Sequence, residues 1–268
     1  MKKITTTFWM FFLNNTNKKI FCILVNFRNF IKKKNISIGY QNEEYFLKDN
    51  ENLWYFKNKY RLLRNIDGLS KRAQYLLDVY QINKINIEDR DLIIDIGANY
   101  GEFYNVFNLL LKKNIKYISI EPSIDCYKSI IKSIPKQTHF NFAIFNKNSE
   151  KTFYLSEDSA DSSLIEPKKF VRKVDVKTKT LNQIIKSDVK LLKVEAEGAE
   201  PEILLGLRDV KFIIDYIVVD VSFERGKLEQ STKKRCLTIL KSYGYTVKSE
   251  CKLEKRIILL FNREKWKL

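Results

Sequence analysis

Five acidic side chains stand at or just after the ends of short apolar runs, where an ionised carboxylate is hard to explain without a partner. They are Asp95, Glu121, Glu195, Glu197 and Asp220. A carboxylate in such a place can accept hydrogen bonds from hydroxyl groups, face a cationic ligand, or take a proton as a general base. These five residues are therefore the first candidates for a functional site.

The loop that follows the first apolar run reads Asp95-Ile-Gly-Ala-Asn-Tyr-Gly101. Its glycines allow a sharp turn and the close approach of a ligand. The spacing Asp-x-Gly-x-x-x-Gly differs from the Gly-x-Gly-x-x-Gly pattern that seats a pyrophosphate on a helix N-terminus. The acidic start favours a cationic ligand with an amino group, such as S-adenosylmethionine. Glu121, at the end of the next run, fits a carboxylate that accepts hydrogen bonds from two ribose hydroxyls.

An alternation of strands and helices is predicted to position these residues. Apolar runs predict strands at 92–96, 117–120, 139–143, 190–195 and 216–221, and a closing pair at 245–249 and 256–261. Apolar spacing predicts helices through 103–110, 127–131 and 237–240, and another through 73–80 before the first strand. The alternation indicates an α/β fold with a parallel sheet and helices on both faces. In such a sheet the ligand binds outside the carboxyl ends of the strands, where the five acidic residues fall.

Three regions are predicted: a basic, aromatic extension over 1–40, a helical lead-in over 41–90, and the α/β domain over 91–268. The chain of 268 residues has a net charge of +17, and residues 1–40 contain eight Lys or Arg and no Asp or Glu. Such a field favours an anionic partner, which could be acidic lipid, nucleic acid or a phosphorylated substrate. The alternative is a solvated basic surface with no partner.

The extension contains two apolar runs, at 8–13 and 20–25. Both are far shorter than the roughly 20 residues that span a bilayer, and no small-residue cleavage site follows the first, so a signal peptide is not predicted. Aromatic residues mixed with lysines could lie in a membrane interface. A helix that docks its aromatic residues on the rest of the protein is the preferred alternative. We expect a cytoplasmic protein, with peripheral contact to the inner membrane face left open.

The cysteine and histidine content excludes several classes of site. The four cysteines are scattered, at Cys22, Cys126, Cys236 and Cys251, and His139 is the only histidine. We therefore expect reduced cysteines, no disulfide framework and no metal site. A Ser-His-Asp hydrolase is also not expected, because no Gly-x-Ser-x-Gly turn is present.

The sequence resembles the FkbM family of methyltransferases over roughly residues 60–250. The resemblance is carried by the segments 94–101, 120–123 and 160–164, by Leu191-Leu-Lys-Val-Glu-Ala-Glu-Gly-Ala-Glu-Pro-Glu-Ile-Leu-Leu-Gly206, and by Asp220-Val-Ser-Phe-Glu-Arg-Gly226 with Ser231-Thr232. It implies a class I Rossmann-like α/β fold, with a mostly parallel seven-stranded sheet, an antiparallel closing strand and helices on both faces. It also implies S-adenosylmethionine as methyl donor and an oxygen acceptor, often a sugar hydroxyl of a natural product or surface glycan. Two positions depart from the family pattern: many members have Asp where Glu195 stands, and one branch has Gly where Ser222 stands.

A cofactor site follows from the loop, from Glu121 and from the resemblance. We predict that S-adenosylmethionine is held by the first loop and by the ends of the second and third strands, namely by Asp95, Gly97, Ala98, Asn99, Gly101, Glu121, Pro122, Asn141 and Ala143. Transfer from a sulfonium requires alignment of the acceptor with the methyl group, and no metal.

A sugar hydroxyl is a poor nucleophile near neutral pH, so a general base is expected. Glu197 is the first candidate, since it follows the fourth strand in an Ala-Glu-Gly turn, and Asp220 and Glu195 come next. His139 suits the task by its ordinary pKa, but its place in the third strand favours a structural role. Glu200 and Glu202 flank Pro201, where acids complement the dipole of a helix that begins there.

A polar stretch with Asp158, Asp161, Ser162 and Ser163 is predicted to be a loop, either over the site or as a plain surface turn.

Three functions remain open from the sequence. The first is an O-methyltransferase for a glycan or nucleotide-sugar acceptor. The second is an RNA methyltransferase, which only the basic charge supports; no Asn/Asp-Pro-Pro-Tyr/Phe tetrapeptide is present, and a nucleic-acid partner is not expected. The third is a non-enzymatic module recruited to a membrane by the basic extension.

Overall fold

The computed structural model describes residues 16–157 and 161–263. The predicted apolar run at 8–13, together with Asp158 and Ala160, lies outside the described residues. The chain divides into two compact units, Met1–Leu69 and Ser70–Leu268. None of the described helices is both long and apolar enough to cross a membrane.

The first unit contains helix α1 (Lys18–Ile31), strands β1 (Ile36–Gln41), β2 (Glu44–Asp49) and β3 (Asn52–Phe56), and the short helix α2 (Lys59–Leu63). The three strands form an antiparallel sheet in the order β1-β2-β3. Asn42 and Glu43 join the first two strands with φ of +50° and +60°, as a two-residue hairpin turn requires.

The prediction of a helical lead-in over 41–90 is wrong for its first part. Residues 44–56 alternate buried and less buried side chains, with Tyr45, Leu47, Trp54 and Phe56 facing the interior. A period of two is typical of a strand, and the hairpin turn between β1 and β2 sets the register in which the two strands pair. Helix resumes at α2 and at α3 (Leu69–Val79). The division into 1–40, 41–90 and 91–268 otherwise stays a prediction.

The second unit contains the remaining strands and helices. In chain order the strands are β4 (Leu92–Ile96), β5 (Lys116–Ile120), β6 (Thr138–Phe140), β7 (Ala143–Ile144), β8 (Ser149–Leu155), β9 (Arg172–Lys179), β10 (Val189–Val194), β11 (Ile214–Asp220), β12 (Phe223–Arg225), β13 (Gln230–Ser231), β14 (Tyr245–Leu253) and β15 (Arg256–Arg263). The helices are α4 (Ile124–Ser133), α5 (Leu181–Ile184), α6 (Glu200–Leu205) and α7 (Lys233–Ser242), with a 3-10 turn at Ile82–Lys84, a π-helical segment at Val106–Leu111 and a 3-10 segment at Gly206–Asp209.

The central sheet has seven strands in the order β14-β15-β11-β10-β4-β5-β6. Its neighbours are parallel except for β15, which runs antiparallel to both β11 and β14. The α/β prediction of a mostly parallel seven-stranded sheet with an antiparallel closing strand is therefore confirmed.

Two local predictions need correction. The third strand ends at Phe140 instead of Ala143, because Asn141 turns outward and Ala143 pairs with β9 in a separate three-stranded sheet. The helix predicted through 103–110 is π-helical from Val106 to Leu111, and its buried side chains, Val106 and Phe107, are among those that carried the apolar pattern.

The order of strands reverses between β4 and β10. From β4 the chain continues through β5 and β6 on one side, and it returns to form β10 and β11 on the other. Ligands of open α/β sheets bind at the carboxyl ends of the strands beside such a reversal. Here those ends carry the Gly97 loop and the turn that starts at Glu195.

Candidate functional site

The glycine loop after β4 lies against the turn after β10. Gly97 has φ of +73°, and a Cβ atom at this position would stand 1.8 Å from the carbonyl oxygen of Glu195. The amides of Gly97 and Ala98 donate to the carbonyl of Ile120, at 3.0 and 3.2 Å. Only glycine fits this close approach of two backbones. The loop and the acidic turn are therefore one packed assembly at the switch in strand order.

Glu121 is fixed by the backbone at the end of β5. Its two carboxylate oxygens accept from the amides of Asn99 and Ser123, each at 2.8 Å. Asn99 takes a left-handed conformation with φ of +51°, which aims its amide at the carboxylate. Burial raises the pKa of Glu121 to about 7, while the two amides hold it down. The group thus titrates near neutral pH.

The predicted residues beyond Glu121 form the same corner. The Asn141 side-chain amide donates to the carbonyls of Glu121 and Pro122, at 2.9 and 3.0 Å. Ala143 is buried two residues further on. Glu121, Pro122 and Asn141 are therefore brought together at the ends of β5 and β6, whereas Ala143 pairs with β9 in the separate sheet.

Asp95 is completely buried, and both of its oxygens have partners. Lys193 donates to one of them at 2.8 Å, and the Tyr117 hydroxyl donates to the other. Lys193 also donates to the carbonyl of Gly97 at 3.1 Å. The residue predicted to face a cofactor is thus an internal support of the glycine loop, neutralised by a lysine of the neighbouring strand.

Glu195 is held by three cationic or hydroxyl donors. Lys193 lies 3.1 Å from its carboxylate, and Arg256 and the Tyr80 hydroxyl bond the same group. Burial alone would raise the pKa of Glu195, but the charges of Arg256 and Lys193 outweigh burial and hold the pKa well below its usual range. A carboxylate so stabilised in its ionised form is a weak base. Its predicted role as a base is therefore not supported by its surroundings.

Asp220, at the end of β11, is equally engaged. Arg256 donates to one oxygen at 2.8 Å, and the amide and hydroxyl of Ser222 donate to the other, the amide at 3.0 Å. Arg256 therefore joins Asp220 to Glu195 across the carboxyl ends of β10 and β11. Burial, followed by the charge of Glu195, raises the pKa of Asp220.

Glu197 stands in a strained turn that other residues hold in place. It adopts φ of +50°, in the left-handed region that non-glycine residues rarely occupy. The Glu200 carboxylate accepts from the amides of Ala196 and Gly198, at 2.9 and 3.0 Å. The Ser163 hydroxyl donates to the carbonyl of Glu197 at 2.7 Å. Strain that several partners maintain is often found at functional sites.

The carboxyl group of Glu197 differs from the other acids of the site. Its Oε2 atom is buried and accepts no hydrogen bond from any residue that the structure describes. Burial raises the pKa of Glu197 well above its usual range, and the nearby acids Glu224, Glu195 and Asp161 raise it further. Burial also raises the pKa of Glu224, to about 9, and the charge of Asp220 raises it further. Because the charge of Glu224 raises the pKa of Glu197, the two carboxyls titrate as a coupled pair.

The loop that carries Asp161, Ser162 and Ser163 contacts this turn. Ser163 is buried between the Glu197 carbonyl and the amide of Ile165. Ser162 bonds the amide of Ser156 at 3.0 Å and closes the loop on itself. Of the two predictions, a loop over the site is the one that these contacts support.

The residues predicted only to complement a helix dipole have specific partners. Glu202, in the first turn of α6, binds Arg225 through both oxygens at 2.8 and 2.9 Å. Arg225 also donates to the Gly198 carbonyl. Glu200 and Glu202 thus anchor the Glu197 turn and the β12 strand that carries Glu224.

His139 is structural, as the sequence favoured. Its two ring nitrogens lie 2.7 Å from the Ser119 hydroxyl and 2.7 Å from the Ile134 carbonyl. Burial lowers its pKa. A neutral ring with both nitrogens engaged has no atom left for an acceptor.

Sequence reasoning missed four functional-site residues: Lys193, Arg256, Tyr80 and Glu224. A signal existed for Lys193, since a lysine inside the apolar run 191–194 needs a buried counter-charge. Glu224 lies in a segment that carried the family resemblance. Nothing local distinguishes Arg256 or Tyr80.

Comparison with known proteins gives one family match. The model of the methyltransferase FkbM domain matches residues 95–247. No curated protein matches the chain.

Several solved structures are similar in fold. An FkbM methyltransferase from Methylobacillus flagellatus is 15% identical with a TM-score of 0.48, over 71% of this chain and 50% of that one, so this chain spans half its length. TrmK of M. capricolum in complex with S-adenosylhomocysteine is 11% identical with a TM-score of 0.43, over 71% and 68% of the two chains. The precorrin-6y C5,15-methyltransferase of Geobacter metallireducens is 13% identical with a TM-score of 0.43, over 72% and 89%.

Proposed function

Because the chain belongs to the FkbM family of S-adenosylmethionine-dependent methyltransferases, we propose that it methylates a hydroxyl oxygen of an uncharged sugar, on a glycan or a nucleotide-sugar precursor. The observation that carries the proposal is the state of the Glu197 carboxyl, which lies in the turn after β10. Its Oε2 atom is buried and accepts no hydrogen bond from the described residues, and its pKa is raised. Membership in a methyltransferase family also argues against the third function considered from the sequence, a non-enzymatic module recruited to a membrane.

The residues around Gly97 fit the donor. The loop from Gly97 to Gly101 turns at the switch in strand order, and Glu121 presents a carboxylate already oriented by two backbone amides. Each oxygen of that carboxylate keeps a lone pair that can accept from a ribose hydroxyl. The bound donor supplies a methyl group on a sulfonium, so the chain itself needs no nucleophile. Asp95 and Lys193 keep the loop in position from inside the sheet.

Glu197 is the group that accepts the proton of the acceptor hydroxyl. A general base works best when its pKa lies near the working pH, and burial beside Glu224 moves Glu197 in that direction. Glu195 and Asp220, the other two candidates, are occupied by Arg256 and are positioning residues in this proposal. Glu224 is the second acid of this coupled pair, and burial raises its pKa to about 9.

The charge around Glu197 favours a neutral acceptor. Asp161, Glu224 and Asp220 all raise its pKa by repulsion, and the same field repels a phosphate or a carboxylate brought next to the reacting hydroxyl. The basic net charge of +17 supports RNA as the second candidate acceptor, but that charge is not concentrated at Glu197.

Transfer of a labelled methyl group separates the two acceptors. The purified protein, with methyl-labelled S-adenosylmethionine, is offered neutral glycosides, nucleotide sugars and bulk RNA in parallel reactions. We expect label on carbohydrate and none on RNA. Label on RNA, with salt-sensitive retention of RNA on filters, would contradict the sugar proposal and favour the second candidate.

Glu121 gives a prediction for the donor site. The ionised carboxylate accepts ribose hydroxyls, and its pKa is raised to about 7 by burial. As the pH falls through that value Glu121 takes up a proton, so the affinity for S-adenosylhomocysteine should fall, by about tenfold per pH unit at most. Calorimetric titration across the neutral range measures this dependence.

The matched variant is Glu121→Gln. It should bind S-adenosylhomocysteine more weakly above neutral pH and with little pH dependence below it. An unchanged pH dependence in this variant would show that another group titrates.

A further inference from the structure

Helix α1 has two apolar faces, and one of them is exposed. Phe21 and Val25 are fully buried on one face of α1, together with Asn29. On the other side five large apolar side chains are 47% to 79% exposed, in the order Ile20, Ile23, Phe27, Phe30 and Ile31. Counted from Ile20, their offsets of three, seven, ten and eleven residues place them along one stripe. Single exposed apolar residues are ordinary, but a continuous stripe of this kind indicates an interaction surface.

Cations border the stripe. Lys19, Lys32 and Lys33 are exposed, and none of them forms an ion pair with a residue in the described ranges. Arg28 and Lys34, by contrast, are both bonded to Asp67. No Asp or Glu occurs in residues 1–40. The exposed stripe is therefore framed by positive charge without local compensation.

We propose that α1 binds the surface of an anionic lipid bilayer, lying parallel to it with the stripe among the acyl chains and the three lysines at the headgroups. Helices with an apolar face and flanking lysines bind in this way, and each lysine near an anionic surface contributes favourably. Fourteen residues extend about 21 Å along a helix, too short to cross the roughly 30 Å hydrocarbon core.

The charges favour lipid over a second copy of the chain. In a two-fold dimer the same patch meets itself, which would bring the lysines of two copies together. An anionic surface instead neutralises them. The proposal does not depend on the proposed methyltransferase substrate, because it rests on the first unit alone.

Flotation with vesicles tests the proposal on the full chain. One vesicle contains phosphatidylglycerol with phosphatidylcholine, and the other contains phosphatidylcholine alone. We expect the protein to float with the anionic vesicles at low salt and to be released from them as salt is raised.

Variants distinguish binding through the stripe from non-specific adsorption to the vesicles. Phe27→Ser with Phe30→Ser removes exposed rings only, so the fold should persist, and binding should fall by about tenfold or more. Lys32→Glu with Lys33→Glu should abolish the preference for anionic lipid. The control pair, Val171→Ser with Leu253→Ser, replaces apolar residues that are exposed outside the first unit and should bind as the unaltered protein does.

Three results would overturn the proposal. One is failure of the unaltered protein to float. Another is an equal loss of binding in the control pair. The third is a molecular mass in solution that falls from dimer to monomer in the Phe27, Phe30 variant, since this would assign the stripe to a second copy.

Discussion

Replacement of Glu197 by glutamine is expected to lower turnover by about a hundredfold to ten-thousandfold, the range that a positioned base contributes. Glutamine keeps the size of the side chain but cannot accept the acceptor proton. The backbone contacts that hold residue 197, from Ser163 and from the turn fixed by Glu200, do not depend on its carboxyl. The dissociation constant of S-adenosylmethionine should therefore hardly change. Steady-state rates with the methylated sugar as readout, and calorimetry for the donor, measure the two quantities.

Glu224→Gln is the companion variant, because it tests whether Glu224 tunes the pKa of Glu197 or has a structural role only. Glu197 must be ionised before it can accept a proton, so the rate should rise with pH as Glu197 loses its own proton. Removal of the Glu224 carboxyl removes a charge that raises the pKa of Glu197, so the acidic limb of the profile should move to lower pH. A merely structural Glu224 would leave the limb in place.

Other outcomes reassign the role of Glu197. An equal loss of donor affinity in Glu197→Gln would make Glu197 a donor-binding residue. Unchanged turnover would move the base to Asp220 or leave solvent as the base. Because Asp220 is bonded to Arg256 and Ser222, the second result would also require that network to open.

The strand ends could be predicted because their signal is local. An apolar run followed by an acid, as in 92–96 or 116–121, marks a buried parallel strand that ends at a polar edge. The sheet order then follows from the fold class, and it brings Gly97 next to Glu195. The position of the candidate site was therefore accessible from sequence, whereas the choice of Glu197 among its acids stays a prediction.

The partners of those acids could not be predicted, because they come from distant parts of the chain. Arg256 reaches Glu195 from the closing strand, and Tyr80 reaches it from the end of α3. Neither has a local pattern that marks it. From sequence, Glu195 and Asp220 therefore resemble free bases, whereas in the fold both carboxylates are bonded to Arg256. Strand β2 was missed for a different reason. Its alternation of buried and exposed side chains is short, and the turns at its two ends depend on positive φ angles at Asn42, Glu43 and Asn50, which the sequence pattern did not predict.

Lys193→Met is expected to reduce the free energy of unfolding by about 3–5 kcal/mol, the cost of breaking a buried ion pair by removing one partner. Lys193 is only 3% exposed and lies 2.8 Å from Asp95 and 3.1 Å from Glu195. Burial would lower its pKa, but the two carboxylates outweigh burial and raise it, so it stays charged. Without it, the Tyr117 hydroxyl is the one side-chain donor left to Asp95 among the residues that the structure describes. A buried carboxylate without a counter-ion is unfavourable. Urea titration followed by circular dichroism measures the loss.

The same strand supplies the matched control. Lys190 pairs with Asp215 at 3.2 Å, but that carboxylate is about half exposed, so Lys190→Met should cost about 0–1 kcal/mol, as exposed pairs do. Asp95→Asn combined with Lys193→Met removes both charges and should recover part of the stability, because no uncompensated ion remains at Asp95. If Lys193→Met were as mild as Lys190→Met, the ion pair would not support the glycine loop. Lys193 also donates to the Gly97 carbonyl. If the double variant recovers stability but does not recover affinity for the methyl donor, the lysine positions the loop as well as neutralising Asp95.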